Sequence, residues 1–132
     1  MRLPLFQSGL SFFLLFSACS NVDLISTNSK TIQEHLSSYR GKKAVLLNVW
    51  ATTCAPCVEE FPMIVRLGNE IKDLEVVFVS ADFDDQLGEV MSFLEEQKVT
   101  GVSFIKKEND KSFIDGIHPK WSGTLPFTIL YG

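Results

Sequence analysis

Two cysteines separated by two residues carry the chemistry that is easiest to identify in this 132-residue chain. Cys54 and Cys57 enclose Ala55 and Pro56, a spacing that lets the second sulfur reach bonding distance of the first. If a helix begins near Cys54, its free backbone N–H groups and positive dipole end favour a thiolate there. Thiols in such positions have a pKa of roughly 3.5–7.5 instead of about 8.5. We therefore expect Cys54 to attack a substrate disulfide and Cys57, deeper in the helix, to resolve the mixed disulfide.

Metal binding is the alternative use of the same two thiols. A zinc site needs two further Cys or His ligands at ordered spacing. Apart from Cys19, the chain offers only His35 and His118, which do not form a ligand-like pair, so no zinc site is predicted. Thiolates also suit Cu(I). A copper-binding module that uses Cys54 and Cys57 therefore stays open beside the redox interpretation.

The composition fits one globular domain and disfavours a nucleic-acid partner. Apolar residues make up 45% of the chain and charged residues 21%, close to the norm for globular proteins. The formal net charge is -4, from 12 basic and 16 acidic residues. The densest basic cluster contains only Arg40, Lys42 and Lys43, whereas a nucleic-acid-binding surface needs a larger basic patch.

The segments around the two cysteines predict alternating strands and helices. Residues 44–49 (AVLLNV) form a nearly continuous apolar run, which indicates a strand covered on both faces. Apolar side chains at helical spacing follow the cysteines. Further strands are predicted at residues 74–79, 102–105 and 126–131. The alternation predicts an α/β sheet with helices on both faces.

Two further helices and one irregular segment complete this prediction. A short helix is expected from Thr31, where Glu34 completes a capping box, to a stop at Gly41. Asp84 and Asp85 are placed to start another helix. Residues 106–124 are mixed in character and are expected to be rich in turns.

The first eighteen residues have the layout of an export signal. Arg2 supplies a positive start, residues 10–16 (LSFFLLF) form a short apolar core, and small residues precede Cys19. Residues 16–19 (FSAC) also resemble the lipobox of bacterial lipoproteins, which implies that Cys19 is lipidated and anchors the protein to a membrane. Cleavage after Ser20 and an uncleaved anchor are the alternatives, and all three versions export the domain.

The expected domain organisation follows from these boundaries. Residues 1–18 are predicted to be the signal peptide. Residues 19–30 are polar and rich in Ser and Asn, so they are expected to form a flexible tether. Residues 31–132 would then be the folded domain.

The segment WATTCAPCVEEFP, at residues 50–62, resembles the active site of thioredoxin-like proteins. Within them it is most similar to the TlpA/ResA type, the tethered extracytoplasmic thiol-disulfide oxidoreductases of bacteria. The resemblance implies a thioredoxin-like fold, with a mixed central sheet and helices on both faces. It also implies a redox-active disulfide between the catalytic residues Cys54 and Cys57. Support for this site is assigned to Trp50, Pro56, Leu125 and Pro126, the last as a cis-proline that faces the cysteines.

Two positions depart from the thioredoxin pattern. Thr53 replaces a second tryptophan, so substrate contact at that point is expected to differ. Asn48 replaces a buried acid, and a neutral amide cannot take a proton from Cys57. Water or another group must then serve. The candidate proton acceptors are Glu59, Glu60, Asp82 and Asp84, each of which is otherwise expected to be a solvated surface charge.

The resemblance implies partners and a direction but no cofactor. Disulfides and thiols of exported proteins would be the substrates, and a membrane or periplasmic electron donor would supply reducing equivalents. The family favours a reductant, located on the outer side of a bacterial membrane. Peroxidases share the fold but place a threonine three residues before the reactive cysteine, where this chain has Ala51.

The last residues give one further expectation. Thioredoxin-like domains continue past the cis-proline strand into another strand and a closing helix, whereas this chain stops at Gly132. We therefore expect a truncated sequence. Residues 19–132 alone are expected to be unstable or to pair through the strand at 127–131, whose backbone groups would be unprotected.

Overall fold

The apolar run ahead of the two cysteines forms the middle of a β-sheet. The computed structural model describes Pro4 and residues 21–132. Within these residues the strands are β1 (Val22–Thr27), β2 (Ala44–Trp50), β3 (Leu74–Ser80), β4 (Gly101–Lys106) and β5 (Phe127–Tyr131). The helices are α1 (Ser29–Ser37), α2 (Ala55–Glu70), α3 (Leu87–Glu96) and α4 (Asp110–Ile117), with a short 3-10 turn at Asp84–Gln86 before α3.

The sheet is mixed, with the strand order β1-β4-β3-β2-β5. Strands β1 to β4 pair in parallel, whereas β5 runs antiparallel to β2. Because β2 and β3 pair in parallel with Trp50 opposite Ser80, the residues that follow these two strands emerge at the same edge of the sheet. The predicted α/β class and mixed sheet are confirmed, and this shared edge positions the functional site.

Helices cover both faces of the sheet and bury two separate cores. The first core lies under α1 and α4, whose Ile32, Leu36, Phe113 and Ile117 pack with Trp121 and side chains of β2 and β3. The second core lies under α2 and α3 and contains Trp50, Cys57, Phe61, Phe78 and Val90 among others. Burial of each large side chain in such a core is worth about 1.5–3 kcal/mol, so the second core, which contains Cys57, Phe61 and Ile64 of α2, fixes that helix firmly against the sheet.

The expected tether at residues 19–30 is corrected by the structure. Residues 22–27 form the edge strand β1, which pairs with β4 from Val22–Gly101 to Thr27–Lys106. Val22 is buried in the second core and Leu24 packs against it, while Asp23 between them is exposed. This alternation is the signature of a half-buried strand, and the polar residues concealed it. The folded domain therefore begins nine residues before the predicted boundary at residue 31.

Two of the predicted helix assignments also change. Helix α1 begins at Ser29 because Asn28 caps it, with the Asn28 side chain accepting a hydrogen bond from the backbone N–H of Thr31. It ends at Ser37, before Gly41, which lies in the following turn with φ 75°. The segment 106–124, expected to be turns, contains α4, which Asn109 caps in the same way. The side chains of Asn28 and Asn109 satisfy helix N–H groups that have no partner inside the helix.

Candidate active site

The N-terminus of α2 places Cys54 where its sulfur meets free backbone donors. Cys54 is the N-cap residue, in extended conformation, and its Sγ accepts a hydrogen bond from the Cys57 N–H at 3.3 Å. Pro56 lies in the first turn, where its missing N–H costs no helical hydrogen bond. The sequence therefore builds the helix start that the dithiol motif predicted, and this position favours negative charge on Cys54.

The two cysteines form a disulfide and differ in exposure. Their Cα atoms lie 5.3 Å apart, and their sulfurs are bonded. Cys57 is 1% exposed and belongs to the second core, whereas Cys54 is half-buried at the edge of that core. An incoming sulfur therefore reaches Cys54 more readily than Cys57, as the predicted division of roles requires.

A buried amide connects the sheet to one of the acidic side chains of α2. Asn48 is 1% exposed, and its Nδ2 donates to Glu60 Oε1 at 3.3 Å and to Thr128 Oγ1 at 3.0 Å. Glu60 lies one turn after Cys57 on the same helix and is half-buried. Of the four predicted proton-acceptor candidates, Glu59 and Asp84 are exposed. Glu60 is the candidate that Asn48 holds in place.

Asp82 is not the solvated surface charge that the sequence suggested. It is 5% exposed and accepts hydrogen bonds from the backbone N–H and the hydroxyl of Thr52, at 3.0 and 2.8 Å. The Ser80 hydroxyl donates a third, at 2.6 Å. Since an ionised carboxylate is an acceptor only, these three donors satisfy it inside the protein. Asp82 therefore binds the turn that precedes Cys54, and it is not free at the surface.

The other predicted support residues converge on the second core and on the loop before β5. Trp50 is buried in the same core as Cys57, and its Nε1 has no hydrogen-bond partner among the described residues. Leu125 packs against both cores, and the Leu125–Pro126 peptide bond is cis. Trp121 holds this loop because its Nε1 donates to the carbonyl of Thr124 at 2.9 Å.

A comparison with known protein families identifies the family of this chain. The profile of the Redoxin family matches residues 4–114, which is most of the sequence. The chain belongs to the Redoxin family.

Curated relatives of this Redoxin-family chain carry names that match the dithiol. Thiol-disulfide oxidoreductase ResA of Bacillus subtilis is 33% identical over 100 residues, covering 75% of this chain and 52% of ResA. Thioredoxin-like protein YneN of the same organism is 36% identical over 77 residues, covering 55% of this chain and 44% of YneN. The resemblance to the TlpA/ResA type is confirmed. The chain spans about half the length of the curated relatives that it matches.

Solved structures show the same fold. The thioredoxin domain of a thiol-disulfide oxidoreductase from Bacteroides vulgatus superposes with a TM-score of 0.59 at 23% identity, over 72% of this chain and 66% of that one. A thiol:disulfide interchange protein from Bacteroides sp. gives a TM-score of 0.58 at 23% identity, over 72% and 60% of the two chains. The predicted thioredoxin-like fold is therefore confirmed.

The sequence interpretation missed Thr52 and Ser80 as parts of this Redoxin-family site. Both are ordinary polar residues in the sequence. Ser80 lies two residues before Asp82, whereas only the pairing of β2 with β3 brings Thr52 to Asp82. The available signal was positional. Thr52 and Asp82 each lie two residues after the end of one of two neighbouring parallel strands.

Metal binding and membrane attachment are the two remaining subjects of the sequence predictions. Across Pro4 and residues 21–132, no three His, Cys, Asp or Glu side chains are grouped so that they could hold a metal ion. None of the helices in this part of the chain has the length and apolar character needed to span a membrane. Cys19, the predicted lipidation site, lies outside the described residues.

Proposed function

We propose that this protein is a thiol-disulfide oxidoreductase that exchanges disulfides with exported proteins through Cys54 and Cys57. The observation that carries the proposal is the disulfide between an accessible helix N-cap cysteine and a buried partner one turn later. This arrangement separates the two tasks of disulfide exchange between two sulfurs. Relatives named thiol-disulfide oxidoreductase support the same activity.

The reaction transfers two electrons to the substrate. In the reduced protein, the Cys54 thiolate attacks one sulfur of a substrate disulfide, the substrate S–S bond breaks, and the other substrate sulfur leaves as a thiolate. Cys57, as a thiolate, then attacks Cys54 Sγ in the mixed disulfide and releases the second substrate thiol. The substrate disulfide becomes two thiols, and the protein dithiol becomes the Cys54–Cys57 disulfide.

The reaction needs a thiolate at Cys54 and then a thiolate at Cys57. The helix N-terminus would favour the first, and Glu60 would accept the proton released in forming the second. The Cys57 N–H, which donates to Cys54 Sγ, favours the attacking thiolate. Cys57 must lose its proton inside the second core before it can attack. Asn48 cannot accept that proton, but it holds the Glu60 carboxylate one helical turn away. We assign the proton-acceptor role to Glu60.

Substrate contact is assigned to the loop that ends at the cis peptide bond. Leu125 and Cys54 both pack against the second core, and this shared packing supports a place for the loop near the dithiol. Leu125 and Pro126 would contact the substrate backbone. Trp50 and Pro56 would support the site from below and from within α2.

The proposed location and direction rest on the sequence. Residues 1–18 would act as an export signal, with Cys19 as a lipidated anchor to the membrane. The domain would act on the outer side of that membrane, reduced by a membrane or periplasmic electron donor. The resemblance of residues 50–62 to the TlpA/ResA type favours a reductant over an oxidant.

Trapping of mixed disulfides tests the assigned roles. Cys57→Ser retains the attacking sulfur but cannot resolve, so it should accumulate disulfide-linked complexes with client proteins, whereas Cys54→Ser should not. The wild-type protein should also reduce the disulfides of insulin and lose that activity when either cysteine is replaced. Equal trapping by the two variants would reject the assigned roles. Failure to reduce insulin, with one Cu(I) retained per chain, would identify a copper-binding module instead.

A further inference from the structure

Asp82 occupies a position that the disulfide-exchange reaction does not itself require. It follows β3 at the edge of the sheet where the dithiol lies, and it is almost completely buried. A buried carboxylate is costly unless hydrogen bonds compensate it. Here the compensation comes from Thr52 and Ser80, at 2.6 to 3.0 Å. Two of these three hydrogen bonds come from Thr52, so compensation for the burial of Asp82 depends mainly on its contact with Thr52 across the sheet edge.

Thr52 belongs to the tight turn that leads from β2 into α2. Within this turn the Cys54 N–H donates to the carbonyl of Ala51 at 3.1 Å. On the side of β3, the Ala81 N–H donates to the carbonyl of Trp50 at 2.8 Å. Asp82 adds two hydrogen bonds to Thr52, one to its backbone and one to its hydroxyl. Ala81 and Asp82, which follow β3, are thus hydrogen-bonded to Trp50 and Thr52 in the segment just before Cys54.

The reactivity of Cys54 depends on where this turn ends. Its sulfur must lie within hydrogen-bond reach of the Cys57 N–H, and hydrogen bonds weaken steeply with misalignment. We propose that Asp82 and Thr52 are positioning residues for the dithiol, since their contact fixes Cys54 as the N-cap of α2. This inference rests on the proposed function, because it concerns the sulfur that attacks the substrate.

Position and charge act on the Cys54 thiol in opposite directions. A negative charge nearby disfavours a thiolate, so removing the Asp82 charge alone would lower the pKa of Cys54. Loss of the turn geometry would raise that pKa, because the thiolate would lose its backbone donor. Apart from Asp84, which one control variant replaces, the other charged side chains around the site are present in every variant proposed below. They are Glu59 and Glu60 on α2, and Asp85, Glu89 and Glu96, which line the groove beside Thr52.

The test compares alkylation rates of Cys54 across pH in the reduced full-length protein. Thr52→Val removes one donor to Asp82 without changing any charge, and Asp82→Asn replaces one acceptor oxygen by an NH2 group. Peptide mass spectrometry separates Cys54 from Cys57 and Cys19. Both variants should raise the pKa of Cys54 by at least about half a unit, which lowers the thiolate fraction about threefold at pH values well below that pKa. Thr52→Ser, which keeps the hydroxyl, should restore the wild-type profile.

Matched control variants are available one or two residues away. Thr53→Val makes the same change at an exposed side chain closer to Cys54, and Asp84→Asn removes an exposed charge close to Asp82. Both controls should keep the wild-type profile.

Three outcomes would overturn the inference. A lowered pKa in Asp82→Asn with no change in Thr52→Val would show that charge, not position, is what matters. Reduced thermal stability with an unchanged alkylation profile would show a structural role only. If the wild-type protein has a Cys54 pKa near that of a free thiol and does not reduce insulin, the proposed function fails, and this inference fails with it. The wild-type measurement therefore separates the two failures.

Discussion

Phe61 packs helix α2 against the second core. It is 0% exposed, and its ring centroid lies 4.1 Å from that of Phe78 and 4.9 Å from those of Trp50 and Phe93. Replacing a buried Phe by Ala costs about 3–5 kcal/mol, and aromatic pairs add about 0.5–1.5 kcal/mol to burial alone. With three ring contacts, Phe61→Ala should lie in the upper half of that range. Single domains have only about 5–15 kcal/mol of stability in total.

Urea unfolding of the oxidised protein measures this loss. Since the urea dependence is about 1–3 kcal/mol per molar for small domains, the midpoint for Phe61→Ala should fall by at least about 1 M. Met63→Ala is the matched control, because Met63 lies two residues further on the same helix and is 51% exposed. Its free energy of unfolding should change by no more than about 0.5 kcal/mol. A loss below about 1 kcal/mol for Phe61→Ala, or an equal loss for Met63→Ala, would refute this account of the core.

Two further predictions concern stability elsewhere. A Cβ on Gly116 would lie 2.6 Å from Ser29 Cβ, so Gly116→Ala should lower the melting temperature, and adding Ser29→Gly should restore it. An unchanged melting temperature in Gly116→Ala would contradict the close approach of α1 and α4. Burial, with Glu75 as a second cause, raises the pKa of Tyr39 above 10.0. Stability from this shift is present below about pH 10 and is lost as pH rises through the raised pKa, so Tyr39→Phe should flatten the alkaline decline in melting temperature. If the melting temperatures of the wild type and Tyr39→Phe declined in parallel at alkaline pH, this prediction would be rejected.

The parts of the fold that depend on local pattern were predictable from the sequence. Strands β2 and β3 were predicted to within one residue, because continuous apolar runs mark strands covered on both faces. Strand β1 was missed because it is an edge strand that presents only Val22 and Leu24 to the second core. Helix α4 was missed although its signals were present, namely the Asn109 cap and an apolar pair four residues apart.

The same distinction holds for the site. The paired cysteines and the helix start at Cys54 follow from one contiguous segment, so the motif alone indicated them. The contact between Thr52 and Asp82 joins residues 30 positions apart, and the hydrogen bond from Asn48 to Thr128 joins residues 80 positions apart. Such contacts depend on which strands become neighbours in the sheet, and β2 lies between β3 and β5, which come from distant parts of the chain.

The pairing of β1 with β4 has a consequence for the order in which the chain can fold. Strands β2 and β3, with α2 between them, form a contiguous unit in which paired residues such as Ala44 and Leu74 are joined by this single helix. By contrast, Val22 pairs with Gly101, so β1 cannot join the sheet until the chain has been made as far as β4. Contacts between distant residues form slowly because the loop between them must close first. During synthesis from the N-terminus, β1 emerges before the other strands of the described sheet, yet it must wait for β4, the third of those other strands, before it can pair.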